Sequence, residues 1–179
     1  MKNFFLVFIL CLALPSTVFA ATKHVSIEGD HGKLAAIIQY PDNSSEYPMV
    51  MLLHGITSSK DDPIITRLAD GLEKNGIASI RFDFNGHGES EGRFQEMTVP
   101  NEIEDAKKIY AYAAALPGVT SVSIAGHSQG GTVAGMTAGE LGTSKIKALV
   151  LLSPAGMLRE LALRGSAFVV SHRLDDAPH

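Results

Sequence analysis

The sequence predicts an α/β fold: a mostly parallel sheet with helices on both faces and an antiparallel hairpin at its amino-terminal end. Three observations carry this. Short apolar runs and amphipathic stretches alternate from residue 49 to residue 154, the order that parallel strands with right-handed helical crossovers impose. The apolar runs are continuous, as expected of strands buried on both faces. Ahead of them, two strand-like segments flank one turn signal, "GDHG" (29–32).

Taken in order, "KHVSIEG" (23–29) and "KLAAIIQYP" (33–41) form the hairpin, and "PDNSSEYP" (41–48) is a polar loop. "MVMLLHG" (49–55) is the first buried strand. Asp62 is placed to cap a helix, and Pro63 suits its first position. Ile64, Ile65, Leu68 and Leu72 recur at helical spacing, and Asn75-Gly76 is a stop signal. "IASIRFDF" (77–84) is the next strand, followed by a glycine-rich loop at 85–92. Thr98 caps a helix running through "VPNEIEDAKKIYAYAAAL", whose acids lie early, where the helix dipole favours them. Ile103, Ala106, Tyr110 and Ala113 mark its inner face. "SVSIAG" (121–126) is a third buried strand, and a helix rich in small residues follows over 129–142. Gly131, Gly135 and Gly139 are expected to pack that helix closely on the sheet. "IKALVLLSP" (146–154) is the fourth strand.

The first twenty residues read as a leader rather than as part of the fold. Lys2 is a short basic region, Phe4 to Leu14 is unbroken apolar sequence, and Val18-Phe19-Ala20 is a small-residue cleavage pattern. The expectation is export through a Sec signal peptide cut after Ala20 or Ala21. The apolar run is short for a membrane span, which needs about 20 residues; an uncleaved anchor is the alternative. Removing 20 of the 179 residues leaves 159, and losing Lys2 moves the net charge from −4 to −5. That mild acidity offers nucleic acid no electrostatic footprint. Cys11 is the only cysteine and lies in the leader, so the exported protein is held by its core without disulfides. The domain reading is a leader at 1–20, a partial α/β domain at 21–165, and an atypical tail at 166–179.

The segment "SVSIAGHSQGGTVAG" (121–135) carries the chemistry. Gly126-His127-Ser128-Gln129-Gly130 sits between a strand and a helix, the setting of a nucleophile elbow. A serine standing clear of the strand end needs a sharp turn, and side chains two residues to either side would collide there. The Gln129 N–H, at the start of the helix, is placed to bind an oxyanion. A second donor is expected from the loop "LLHGITSS" (52–59), where the Ile56 N–H is the candidate. A glycine-rich turn with no chemistry is the alternative that the strand-to-helix setting argues against. His54 is read as pinning its loop rather than as a base, and His87 and His127 as held in turns by neighbouring backbone. No metal-ligand spacing links the seven histidines, and "GHGESEG" matches neither the phosphate-loop nor the dinucleotide pattern. Neither cofactor nor metal is expected.

Together, "LLHGITSS", "RFDFNGHGESEG" and "GHSQGG" resemble the α/β-hydrolase superfamily. Within it they are similar to the cinnamoyl/feruloyl esterase-like group, near the serine aminopeptidase-like hydrolases. The likeness runs over about residues 23 to 160. It implies Ser128 as nucleophile, Ile56 and Gln129 as oxyanion-hole amides, and Asp83 with the 85–92 loop as shaping the catalytic edge of the sheet without bond making; Asp83 itself is read as a carboxylate bracing its loop. The implied substrate is a small-molecule ester of a short or aromatic acid, cleaved through an acyl-enzyme.

In this superfamily the acid and then the histidine of the triad follow the serine. After Pro154 this chain has 25 residues, "AGMLRELALRG" and then "SAFVVSHRLDDAPH". Two further strand–helix units do not fit in that length. The downstream candidates are His172, Asp175, Asp176 and His179, in a tail expected to be disordered. The chain therefore reads as a hydrolase shortened at its carboxyl end, with the last strands missing and the fourth strand left as an exposed apolar edge. A catalytically inactive fragment, or a ligand-binding module on the same scaffold, is the competing reading.

Overall fold

The structure, a computed structural model, describes residues 22–42 and 44–156. The leader, most of the helix-like stretch at 155–165, and all of 166–179 lie outside them. Six strands form one sheet in the order β1-β2-β4-β3-β5-β6. β1 (Thr22–Glu28) and β2 (Lys33–Gln39) are the antiparallel hairpin. β2 also runs antiparallel to β4 (Ala78–Phe82). β3 (Tyr47–Leu53), β4, β5 (Val119–His127) and β6 (Ile146–Leu152) are mutually parallel.

β3 shows why continuous apolar sequence suits the centre of such a sheet. Successive side chains alternate faces. Met49, Met51 and Leu53 enter the larger core, which they share with Ile80, Phe82 and Ile124. That core lies beneath α2 (Val99–Ala114) and α3 (Gln129–Leu141). Leu52 enters the smaller core on the other face, with Ala125 and with Ile65 and Ala69 of α1 (Pro63–Lys74).

The helices begin where their capping residues stand. Asp62 Oδ1 accepts the backbone N–H of Ile64 at 2.7 Å, and Thr98 Oγ1 accepts that of Asn101 at 3.3 Å. Some expected faces need correction. On α1 the buried stripe is Ile65 and Ala69, flanked by Leu68 and Leu72, while Ile64 is exposed. On α2 the early acids do not all serve the dipole from the surface: Glu102 and Asp105 are buried with Ile103, Ala106, Ile109 and Ala113. On α3, a Cβ at Gly131 would lie 3.0 Å from Pro154, which is close packing, but nothing described lies within 4 Å of one at Gly135 or Gly139. β1 and β6 are the edge strands among the described residues, and Leu149, Val150 and Leu151 of β6 are exposed.

Candidate active site

β3, β4 and β5 end level with one another: Leu53 is in register with both Phe82 and Gly126. The loops leaving them converge at the carboxyl edge of the sheet, where open α/β folds place their sites. Ser128 occupies the corner between β5 and α3 with φ 54° and ψ −121°. A residue with a Cβ rarely adopts a positive φ, and such strain persists only where the surroundings over-determine it. Here they do. The Ser128 N–H donates to the Leu152 carbonyl at 3.0 Å, and the Ser128 carbonyl accepts from Gly131 and Ala155, each at 3.0 Å. The flanking glycines are required by space. A Cβ at Gly126 would sit 2.1 Å from the Gly130 carbonyl oxygen, and one at Gly130 would sit 2.3 Å from that of His54. Ser128 is half-buried, and its hydroxyl does not cap the helix that follows it.

The loop after β3 lies against this corner. A Cβ at Gly55 would be 3.2 Å from that of Ser128. A turn closes from Gly55 to Ser58, N–O 3.2 Å, with Thr57 at φ 57° and Ile56 exposed. The expected donors thus belong to adjoining segments: Ile56 follows the residue that touches Ser128, and Gln129 is the first residue of α3, whose opening amides have no partner within the helix.

Three buried groups hold the loop. The His54 ring accepts the Phe84 N–H at Nε2 (3.2 Å) and donates from Nδ1 to the Gly55 carbonyl (2.8 Å). Burial pushes its pKa down to about 4. With both ring nitrogens engaged, it braces the loop. Asp83 accepts from the Lys60 backbone N–H at 2.6 Å, from Lys60 Nζ at 2.9 Å and from the Glu89 N–H at 2.9 Å. Lys60 is itself buried and also reaches Glu89 and Asp61. Burial opposes its charge, but the hydrogen bonds to Glu89 and Asp83 outweigh that and raise its pKa above the ordinary lysine range. His87 Nδ1 lies 3.3 Å from the Asn85 carbonyl. His127 departs from expectation: its buried Nδ1 has no hydrogen-bond partner among the described residues. Between the two loops, Thr57, Ser58, Gly86, His87, Gly88 and Phe94 line an open depression of about 290 Å³.

The elbow has its own buried anchor. Gln129 Nε2 lies 2.7 and 2.9 Å from the two carboxylate oxygens of Glu102 and 3.6 Å from Met97 Sδ. Burial raises the Glu102 pKa to about 7, the Gln129 hydrogen bonds work against that rise, and Asp105 adds to it. One turn on, Asp105 Oδ2 accepts the Asn85 N–H at 2.8 Å. The sequence reading missed Glu102, Asp105 and Lys60. The inner stripe of α2, extended one turn back from Ala106 and Ile109, reaches Glu102 and Asp105, so a signal existed for those two. A single lysine in a polar loop carries none. His172, Asp175, Asp176 and His179 lie outside the described residues. Among the described residues, no group of three or more His, Cys, Asp or Glu side chains is placed to hold a metal, and no helix is long and apolar enough to cross a membrane.

A mostly parallel sheet with an antiparallel edge hairpin, helices on both faces and a strained serine at a strand-to-helix corner defines the α/β-hydrolase architecture. The chain belongs to that family: residues 48–172 match the alpha/beta hydrolase fold. Among solved structures it is similar to Est1E from Butyrivibrio proteoclasticus with ferulic acid bound, at 34% identity and TM-score 0.74, covering 77% of this chain and 55% of that one. It is also similar to the Pyrococcus furiosus esterase Pf2001, at 26% identity and TM-score 0.73, covering 89% and 60%. The quorum-quenching protein AidA of Acinetobacter baumannii is 28% identical over 114 residues, which are 62% of this chain and 37% of AidA. The chain thus spans about a third of the length of the curated relatives it matches and little more than half that of these structures.

Proposed function

We propose that this chain carries the nucleophile and oxyanion hole of an exported serine hydrolase acting on carboxylic esters of short or aromatic acids. Ser128 Oγ attacks the ester carbonyl, the Ile56 and Gln129 amides hold the resulting oxyanion, and the alcohol departs to leave an acyl-enzyme that water cleaves. A histidine base takes the serine proton and returns it to the leaving alcohol. His54 is engaged at both nitrogens, so the base and its acid are assigned to residues beyond the described ones, with His172, His179, Asp175 and Asp176 as this chain's candidates. The observation that carries the reading is the Ser128 backbone at φ 54°, between glycines that leave no room for a Cβ. The leader-like stretch from Phe4 to Leu14 supports export, and the ferulic-acid complex of Est1E supports the substrate class.

A fluorophosphonate probe tests the proposal. Labelling of the full chain that disappears in Ser128→Ala supports it. A folded chain that resists labelling supports the second reading, a fragment or ligand-binding form without a base, which the engagement of His54 favours. Without base and acid, oxyanion binding and positioning alone leave about 10³–10⁴-fold acceleration over water.

A further inference from the structure

We infer that Glu102 is a positioning residue for the oxyanion hole: by gripping the Gln129 side chain it fixes the backbone amide of that same residue beside Ser128. The inference rests on the reading of Ser128 and Gln129 proposed above.

Gln129 is the only residue between the strained serine and Gly130. Its amide belongs to the peptide unit that Ser128 begins, so a rotation at the corner would turn the N–H away from the serine hydroxyl. The usual means of fixing a helix start is missing, since the Ser128 side chain makes no capping bond. The Gln129 side chain supplies an anchor instead. It is buried, and its amide nitrogen lies within hydrogen-bond distance of both oxygens of a buried carboxylate on a different helix. Holding both ends of one residue, the backbone through the corner and the side chain through α2, restricts the rotation that would misplace the N–H. Oxyanion donors act by being oriented before charge develops.

Packing alone does not account for Glu102. A buried carboxylate is costly, and well-packed apolar side chains in place of a buried charged group are often as stable or more so. Among the described residues no cation compensates it: Gln129 and Met97 are neutral, and Asp105 is a second acid. What the carboxylate provides and leucine does not is a directional hold on the Gln129 amide group.

The test compares Glu102→Leu, Glu102→Gln and Gln129→Leu in the full chain, each checked for folding by its thermal transition. The fluorophosphonate reaction gives a maximal rate and a half-saturating concentration separately. The expected result is a maximal rate about tenfold lower in Glu102→Leu and in Gln129→Leu, with half-saturation unchanged. Glu102→Gln keeps an acceptor and should stay within about twofold. The double Leu variant should be no slower than either single one, because both cut the same bond. Equal rates in all variants would overturn the positioning role and leave the proposed function standing. Should the wild-type chain not react at all, the proposed function fails, and the Gln129 backbone amide resonance decides the inference. A shift in Glu102→Leu that is absent in Glu102→Gln supports it; an unmoved resonance overturns it. If Glu102→Leu does not fold, Gln129→Leu carries the same comparison.

Discussion

The two walls of the crevice are built on opposite electrostatic plans. The loop wall, from β3 and β4, buries a cation among carboxylates: Lys60 meets Asp83, Glu89 and Asp61. The elbow wall, from α2 and α3, buries a carboxylate against an uncharged amide: Glu102 meets Gln129. Lys60 keeps its charge because hydrogen-bonded acids outweigh its burial. Glu102 meets no cation among the described residues, so burial prevails and its pKa climbs to about 7. The first hold is an ion pair that favours the charged lysine, whereas the second is a carboxylate whose own titration is shifted toward neutral pH.

The largest effect should follow from breaking the loop wall. Asp83→Ala removes the fully buried partner of Lys60 and also strands the backbone N–H groups of Lys60 and Glu89. Removing one member of a buried pair costs about 3–5 kcal/mol, read as a lower urea midpoint at an unchanged slope. The matching change on the other wall, Glu102→Gln, should not destabilise at neutral pH, because it removes an uncompensated charge. If Asp83→Ala cost less than about 1 kcal/mol, Lys60 would be behaving as a surface residue and the contrast between the walls would collapse.

The next effect is a pH dependence in which the walls oppose each other. The pKa of buried His54 falls from 6.5 to about 4. Its contribution is therefore complete above pH 6.5 and is lost as the pH falls to about 4. The pKa of Glu102 rises from 4.5 to about 7. Its contribution is complete below pH 4.5 and is lost as the pH rises to about 7. Each is on the order of 3 kcal/mol, and between pH 4.5 and 6.5 the two slopes cancel. Glu102→Gln should uncover the His54 slope, so that stability climbs with pH across that interval and exceeds wild type by up to about 3 kcal/mol at pH 8. Urea titrations at stepped pH measure this. Parallel curves for the two proteins would mean that Glu102 is hydrated.

A smaller contrast lies in the two helix caps. Asp62 starts α1 beside the loop wall and accepts from Ile64 at 2.7 Å and from the Ser58 hydroxyl at 2.6 Å. Thr98 starts α2, which carries Glu102, through one longer bond of 3.3 Å. Caps contribute about 0.5–2 kcal/mol. Asp62→Ala should fall near the top of that range and Thr98→Ala near the bottom, as thermal unfolding would resolve.

Much of this organisation is legible in the residues. The hairpin, the alternation of strand and helix, both caps and the glycines of the corner follow from periodicity, turn chemistry and steric need. The misreadings share a cause. Ile64 and Ile65 are adjacent and equally apolar, and only the contact with Leu52 and Ala125 decides which one faces inward. Glu102 and Asp105 look like surface acids because helix-dipole reasoning has no knowledge of Gln129 or Asn85, which come from other elements. Lys60 is a loop residue until Asp83 and Glu89 surround it. Local pattern reports the elements, whereas buried polar partners are a property of how distant segments meet.

The smallest predicted effect separates the two ends of α3. At its start, a Cβ on Gly130 would lie 2.3 Å from backbone oxygen, and one on Gly131 would crowd Gly126 and Pro154 at 3.0 Å. Midway along, Gly135 has nothing described within 4 Å of its missing Cβ. Small residues at regular spacing suggest close packing all along the helix, but among the described residues space requires them only at the corner. Gly135→Ala should therefore behave as an ordinary helix substitution. It removes unfolded-state entropy and adds helix propensity, a gain of about 0.4–1 kcal/mol. Gly130→Ala should lower stability and probe labelling together, because backbone at the corner would have to move. A destabilised Gly135→Ala would show that another part of the chain packs against that face, which would extend the constraint of the elbow wall to the far end of the helix.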